Sequence, residues 1–291
     1  MIYDVPKVSP GGDRYLLVEF GNEMNLDLNF KAQGLANALT GEYRINGVIE
    51  TAPCFATTLV HYDPDLISYS DLKVELLRLF ESLGSSDDIE VDSRLFYFPT
   101  LYLDPWTTDC INDYRDKINP EKEQDPEFVA RINGLSDVRQ LVRVHSGTEY
   151  WAASLGFWPG LAFMMPLDPR CRLTAPKYNP PRTWTPQGAV SMGGMSTAIY
   201  PVPSPGGYQL FGRTPVPIWD PQKTFPEFEG DLCIFRPGDR IKYVPCSKEE
   251  YLEVERQVTE GSFKFNIVDY QRFSVGNYKR WVASLDLTSR F

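Results

Sequence analysis

Tyr15 to Phe20 is a short β-prone run, apolar except at Glu19, and apolar residues then recur at helical spacing from Leu26 to Leu39, so the chain opens with a predicted strand and helix. Arg44 to Glu50 and Cys54 to Tyr62 read as a strand pair. Leu72, Leu76, Leu79 and Phe80 make the apolar stripe of a helix from Ser70 to Leu83, and Val91 to Phe98 reads as a closing strand. The order β-α-β-β-α-β predicts a ferredoxin-like α+β subdomain over residues 1–100, with two helices on one face of an antiparallel sheet. Residues 101–140 are polar and read as a connector with short helices, one of them starting at Asp125-Pro126-Glu127 and ending at Asn133-Gly134.

Over residues 141–291 the pattern changes to short β-prone runs punctuated by Pro and Gly. Strands are expected at Trp151 to Leu155, Ala189 to Met192, Ala198 to Pro201, Tyr208 to Phe211, Val216 to Asp220, Leu232 to Phe235 and Arg240 to Val244. A closed or nearly closed mainly-β barrel follows, because closure hides sheet edges. A helix from Glu249 to Val258, a strand from Gly261 to Val268 and a last helix within Tyr270 to Leu285 complete the pattern.

The 291 residues, 42% hydrophobic, are enough to fill a core, and the formal net charge of −10 leaves no basic stripe to neutralise phosphates. Nonspecific nucleic-acid or anionic-membrane binding is therefore not expected. Five cysteines without CxxC spacing predict neither a disulfide framework nor a structural zinc site, and two histidines, His61 and His145, exclude a multi-histidine metal centre. No metal is expected. There is no Gly-x-Ser-x-Gly elbow, no apolar run long enough to span a bilayer and no secretory leader pattern at Met1–Pro6, so a cytoplasmic protein is the default expectation.

The candidate chemistry lies in glycine-punctuated segments that together read as a polar-lined surface: Lys177 to Thr185, Gly193 to Pro201, and Ser204-Pro205-Gly206-Gly207-Tyr208-Gln209 on through Arg213 to Pro215. Glycine pairs let a ligand approach the main chain, and the Arg and Gln side chains are donors suited to an anionic or carbonyl-bearing ligand. The same glycines also serve as plain turns between strands, and Arg213 equally serves to pin a barrel loop. Trp151, Phe157, Trp158, Phe163, Met164 and Met165 fit a core or the pocket of a stand-alone enzyme on a hydrophobic small molecule.

The run His145-Ser146-Gly147-Thr148-Glu149-Tyr150, then Leu155-Gly156-Phe157-Trp158-Pro159-Gly160 and Leu167-Asp168-Pro169-Arg170, resembles the allophanate hydrolase subunit 1 family, which includes the sporulation-kinase inhibitor and the B component of 5-oxoprolinase. The three glycine-rich segments look most like the first half of the carboxyltransferase domain of urea carboxylase. The resemblance covers most of the chain. It implies a cyclophilin-like barrel after the α+β subdomain, and a homologous second-half partner that completes the active cleft. It also implies biotin supplied by a partner, with a biotin carboxylase and a biotin carrier; these 291 residues hold no Met-Lys-Met biotinylation motif, so no covalent cofactor is expected on the chain itself.

Carried onto this sequence, the resemblance gives Lys177, Asn179 and Arg182 catalytic roles, Lys177 as charge partner or proton shuttle. His145, Gly193, Gly194, Met195, Ser204, Gly206, Gly207, Tyr208, Gln209 and Arg213 become substrate- or biotin-binding residues. Val202-Pro203 stand where relatives carry an acidic residue, which removes one carboxylate from the acid/base inventory. The expected function is the carboxyltransferase subunit of a biotin-dependent, urea-carboxylase-like enzyme on an amide- or guanidine-like small molecule. The alternatives are a subunit of a 5-oxoprolinase-like ATP-dependent amidohydrolase and a regulatory or peptide-binding protein.

Overall fold

The computed structural model describes residues 1–290, with the backbone alone at 270 and 271. The chain divides into two units, the first made of Met1–Ser93 with Tyr270–Leu285, the second of Arg94–Asp269 with the residues after Leu285.

In the first unit, β1 (Ile2–Pro10), β2 (Tyr15–Gly21), β3 (Val48–Cys54) and β4 (Thr57–Tyr62) form an antiparallel sheet in the order β1-β2-β4-β3. Strand alternation sends Leu16, Val18 and Phe20 of β2 and Val60 and Tyr62 of β4 inward. There they meet Leu28, Leu35 and Leu39 of α1 (Leu26–Thr40) and Leu72, Leu76 and Leu79 of α2 (Tyr69–Ser82). Asn25 and Ser68 cap the two helices by accepting from backbone N–H groups of the first turn. The two-helix, one-sheet arrangement follows the sequence pattern, but the fourth strand does not. The pattern expects Val91–Phe98 to close this sheet; the edge beside β2 is instead taken by β1, whose mostly exposed side chains give it little alternation to read. The strand expected at Arg44 starts only at Val48, after a turn.

β5 (Glu90–Tyr102) runs on into the second unit. There follow α3 (Pro105–Lys117), α4 (Asp125–Ile132), α5 (Val138–Ser146), β6 (Tyr150–Leu155), β7 (Ala162–Pro166), β8 (Ala189–Gly193), β9 (Ser196–Ile199), β10 (Gln209–Arg213), β11 (Arg240–Pro245), α6 (Lys248–Thr259), β12 (Asn266–Ser274) and α7 (Val275–Ala283). Among the described residues seven strands close into a ring, β5-β10-β8-β9-β7-β6-β11, because β10 pairs with β8 on one side and with β5 on the other, while β11 returns parallel to β5. The interior is filled by Phe96, Phe98, Tyr150, Met164, Phe211 and Tyr243 among others. The strands expected at Val216–Asp220 and Leu232–Phe235 shrink to a single bridge, Trp219 to Cys233, since Pro215, Pro217 and Pro221 deny the ladder its donors.

Two further differences bear on function. α5 lies where only β-prone runs were expected, and it carries His145 on its buried face. The C-terminal helix α7 belongs with the first unit and not with residues 141–269: Phe273 and Tyr278 pack on Phe30 at 5.7 and 5.6 Å between ring centroids, and Lys279 pairs with Asp87 at 2.6 Å. No helix among the described residues is long and apolar enough to cross a membrane.

Candidate functional site

The β6–β7 turn, residues 177–181 and the 200–208 segment of the second unit enclose a cavity of about 360 Å³. Its walls are mainly aromatic, formed by Phe157, Phe163, Tyr178, Tyr200 and Tyr208, with the Gly206-Gly207 backbone in one wall and Lys177 at the rim. Two glycines make this shape possible. A Cβ on Gly193 would stand 2.4 Å from ring carbons of Tyr208, and one on Gly206 would stand 2.1 Å from the Tyr200 hydroxyl. The two rings therefore lie directly against main chain. Tyr208 is fixed further by its hydroxyl, which donates to Ser196 Oγ at 3.0 Å, the serine giving its own hydrogen to the Gly193 carbonyl at 3.2 Å. Phe157 enters the cavity wall from a backbone with φ of +67°, 62% exposed.

Behind the walls lies a buried polar layer. Arg182, 1% exposed, donates to the Tyr208 carbonyl at 2.6 Å and to Thr185 Oγ1 from Nε and Nη2 at 3.4 and 3.3 Å, and exchanges two backbone hydrogen bonds with Gly206. Its guanidinium also lies 4.4 Å from the centre of the Tyr178 ring. Asp125, fully buried in the first turn of α4, accepts from the Tyr178 hydroxyl at 2.5 Å, from Lys122 Nζ at 2.6 Å and from the Leu210 N–H at 2.7 Å. One carboxylate thus joins the 178 wall to β10, the strand that follows Tyr208. Burial, then the Asp125 charge, pushes the Tyr178 hydroxyl far above the ordinary phenol range, so it remains a donor.

The expected site residues fall into four groups. Lys177, Gly206, Gly207 and Tyr208 line the cavity, and the Lys177 ammonium stands 5.3 Å from the Tyr208 ring centre. Arg182, Gln209, Ser204 and the Gly193-Gly194-Met195 turn support it from outside the lining. Gln209 donates to the Pro176 carbonyl at 2.6 Å, Ser204 is buried, and Gly194, with φ of +62°, opens the two-residue β8–β9 turn. Asn179 is exposed and joined to Pro180 by a cis bond. Arg213 and His145 are not brought to the cavity. Arg213 donates to the Gln187 carbonyl, pairs with Glu255 of α6 and covers the Trp106 ring, which makes it a clamp between helix and barrel.

His145 lies inside the barrel, 1% exposed, with Nδ1 2.7 Å from the Tyr102 hydroxyl and Nε2 3.0 Å from Thr197 Oγ1. Thr197 already donates to the Ser191 carbonyl, so Nε2 carries the hydrogen and Nδ1 accepts from Tyr102. A second proton has no place, and burial lowers the His145 pKa to about 3. The folded chain therefore binds fewer protons than the unfolded chain below the unfolded value of about 6.5, and stability drains away as pH falls from there toward 3. We expect urea unfolding to lose about 2 kcal/mol between pH 6.5 and 5 through this group. A His145→Asn protein should be less stable at neutral pH but lack that slope; an unchanged slope would assign the pH dependence elsewhere.

Trp151, Met164 and Met165 are core, while Phe157 and Phe163 are cavity wall. Sequence reading gave no role to Asp125, nor to Thr185 and Tyr200, although the last two stand within the glycine-punctuated segments. Asp125 was visible only as a helix start, since no spacing rule announces a carboxylate that will be buried.

Residues 6–228 match the model of the carboxyltransferase domain, subdomain C and D. The chain belongs to this carboxyltransferase family. It is 32% identical over 286 residues to the urea amidolyase of Lachancea kluyveri, covering 95% of this chain and 15% of that protein. It is 31% identical over 249 residues to the B component of 5-oxoprolinase from Bacillus subtilis, covering 82% of this chain and 92% of that one. The crystal structure of the Kluyveromyces lactis urea carboxylase superposes with a TM-score of 0.84 at 27% identity, over 97% of this chain and 26% of that chain. This carboxyltransferase-family chain therefore spans about a sixth of the urea amidolyases it matches and nearly the whole of the Bacillus subtilis component.

Proposed function

We propose that the chain is the first-half carboxyltransferase subunit of a biotin-dependent enzyme of the urea carboxylase type, acting on an amide- or guanidine-like small molecule. The observation that carries this reading is the aromatic cavity between Tyr178, Tyr200 and Tyr208 in a chain that superposes on urea carboxylase over nearly all its length. The residues fit the biotin bicycle: Gly193 and Gly206 let the Tyr208 and Tyr200 rings pack against main chain in an aromatic wall on which a ring system rests, and Lys177 stands at the rim for a carboxylate or ureido oxygen. Biotin, when bound, supplies an activated carboxyl group. The chain's own residues exclude water with the aromatic walls, hold the Gly206-Gly207 loop through Arg182, and balance negative charge with Lys177, while Asn179 meets the acceptor. In this reading the first unit is a variant of the ferredoxin-like arrangement and the closed ring a cyclophilin-like barrel. A homologous second half completes the cleft, with a biotin carboxylase and biotin carrier as further partners.

The test is reconstitution of the chain with a second-half homologue, biotin carboxylase and biotinylated carrier, following ATP-dependent fixation of labelled bicarbonate into urea, guanidine or a small amide. Fixation that stops when this chain is omitted is the expected result, and none with any acceptor would sink the reading. A second reading, one component of a 5-oxoprolinase-type hydrolase, draws on the match to 92% of the length of the Bacillus subtilis protein. ATP-dependent opening of 5-oxoproline without bicarbonate fixation would favour it.

A further inference from the structure

The β6–β7 connection reads Gly156-Phe157-Trp158-Pro159-Gly160, and its left-handed backbone falls on a phenylalanine although a glycine stands beside it: φ is +67° at Phe157 and +81° at Gly160. A Cβ disfavours that region. The Trp158 N–H donates to the Gly156 carbonyl at 2.8 Å and so closes, around Phe157, the strained form of a three-residue turn. The surroundings hold it there. The Gly156 N–H donates to the Leu161 carbonyl at 3.1 Å, the Leu161 N–H donates to the Trp158 carbonyl at 3.0 Å, and Gly160 lies so close to the barrel that a Cβ would stand 2.6 Å from the Ile218 carbonyl oxygen. Core packing does not account for the strain, because Phe157 is 62% exposed while Tyr178 and Tyr200, in the same cavity, are 7% and 3% exposed. Among the described residues Phe157 is the one non-glycine residue in the left-handed region that lines the cavity.

We propose that Phe157 is a ligand-binding residue: its ring is the open wall of the aromatic cavity, held in place by the strained turn so that a flat cyclic group is gripped in the corner it makes with Tyr200. The two rings stand 6.2 Å apart between centroids and at 86° to each other. A flat group lying against one of them therefore meets the other edge to face, and both are favoured aromatic contacts. A puckered saturated ring has no such face to offer. Lys177 is the one charged side chain in the lining, which restricts the group to a neutral or anionic one. Ligand entry also removes water from the uncovered Phe157 ring, supplying the burial that the free chain does not give it. Which molecule carries the flat group rests on the function proposed above; the grip of Phe157 on it does not.

The experiment compares benzoate with cyclohexanecarboxylate, which keeps the carboxylate and the ring size but has no flat face, by ligand-observed NMR on the full chain. The wild-type protein should bind benzoate several-fold more tightly. Phe157→Leu keeps an apolar side chain and should weaken benzoate about threefold to tenfold, levelling the two probes. Phe157→Gly should weaken benzoate at least as much and yet unfold within about 4 °C of the wild-type midpoint, because relief of the left-handed backbone offsets the little packing that is lost. A larger drop in the Phe157→Gly midpoint would make the ring a packing residue and overturn the proposal. Unchanged selectivity in Phe157→Leu, or no benzoate binding by the wild type, would overturn it equally. Phe157-dependent selectivity in a chain whose reconstituted complex fixes no bicarbonate would remove the carboxylase reading and leave this inference standing; fixation by Phe157→Gly at the wild-type rate and KM would do the reverse.

Discussion

Replacing Asp125 by alanine should destabilise the second unit by about 3–5 kcal/mol, the cost of removing one member of a buried charge pair. The substitution leaves the Lys122 ammonium, 15% exposed, facing an apolar gap, and strips the Tyr178 hydroxyl and the Leu210 N–H of their acceptor. Each orphaned neutral donor adds its own desolvation penalty. Lys122→Ala should cost less, because Asp125 keeps two uncharged donors. Thermal and urea unfolding of both variants would measure the difference, and a loss below about 1 kcal/mol for Asp125→Ala would show that the carboxylate is not the tie between the 178 wall and β10. Asp125→Asn is the informative companion: it retains one acceptor oxygen and should recover part of the loss.

Gly206→Ala should leave the chain folded but lower turnover of the reconstituted complex about a hundredfold, the scale expected for a displacement of about 1 Å in a binding wall. Its methyl would overlap the Tyr200 hydroxyl, and the buried ring has little room to retreat. The alternative, movement of the loop, breaks the two backbone hydrogen bonds between Gly206 and Arg182, of 2.9 and 3.1 Å. Gly207→Ala provides the contrast, since its Cβ would meet the Tyr178 carbonyl at 3.4 Å and the Lys177 side chain at 3.5 Å, ordinary contact distances. Steady-state bicarbonate fixation by both variants in the reconstituted complex decides the matter; equal behaviour of the two would refute the assignment of Gly206 as the tight position.

The periodic elements were legible because burial is imposed on one face at a time. Leu72, Leu76 and Leu79 mark α2, and Leu16, Val18 and Phe20 mark β2, in spacing alone. β1 escaped because its side chains are mostly exposed, and α5 because its β-branched Val138, Val142 and Val144 read as β-prone despite the Asp137 cap. At the cavity, Gly206, Gly207, Tyr208 and Lys177 were legible from glycine pairs and from resemblance. His145 and Arg213 were drawn into the site by their chemistry, yet each is consumed by partners far along the chain, Tyr102 and Thr197 for one, Gln187 and Glu255 for the other. Asp125 works through a hydrogen bond that reaches across the fold from Leu210, and Tyr200 through its packing against Gly206, and such links leave no local trace.

β5, the first barrel strand to be made, pairs with β10 and β11, two of the last. During translation its apolar face, Phe96 and Phe98, must wait for Arg240 to emerge, roughly 10–30 s at ordinary elongation rates. For that interval one barrel strand stands unpaired, so a faster route to Arg240 or added chaperone is expected to raise the soluble yield of the chain.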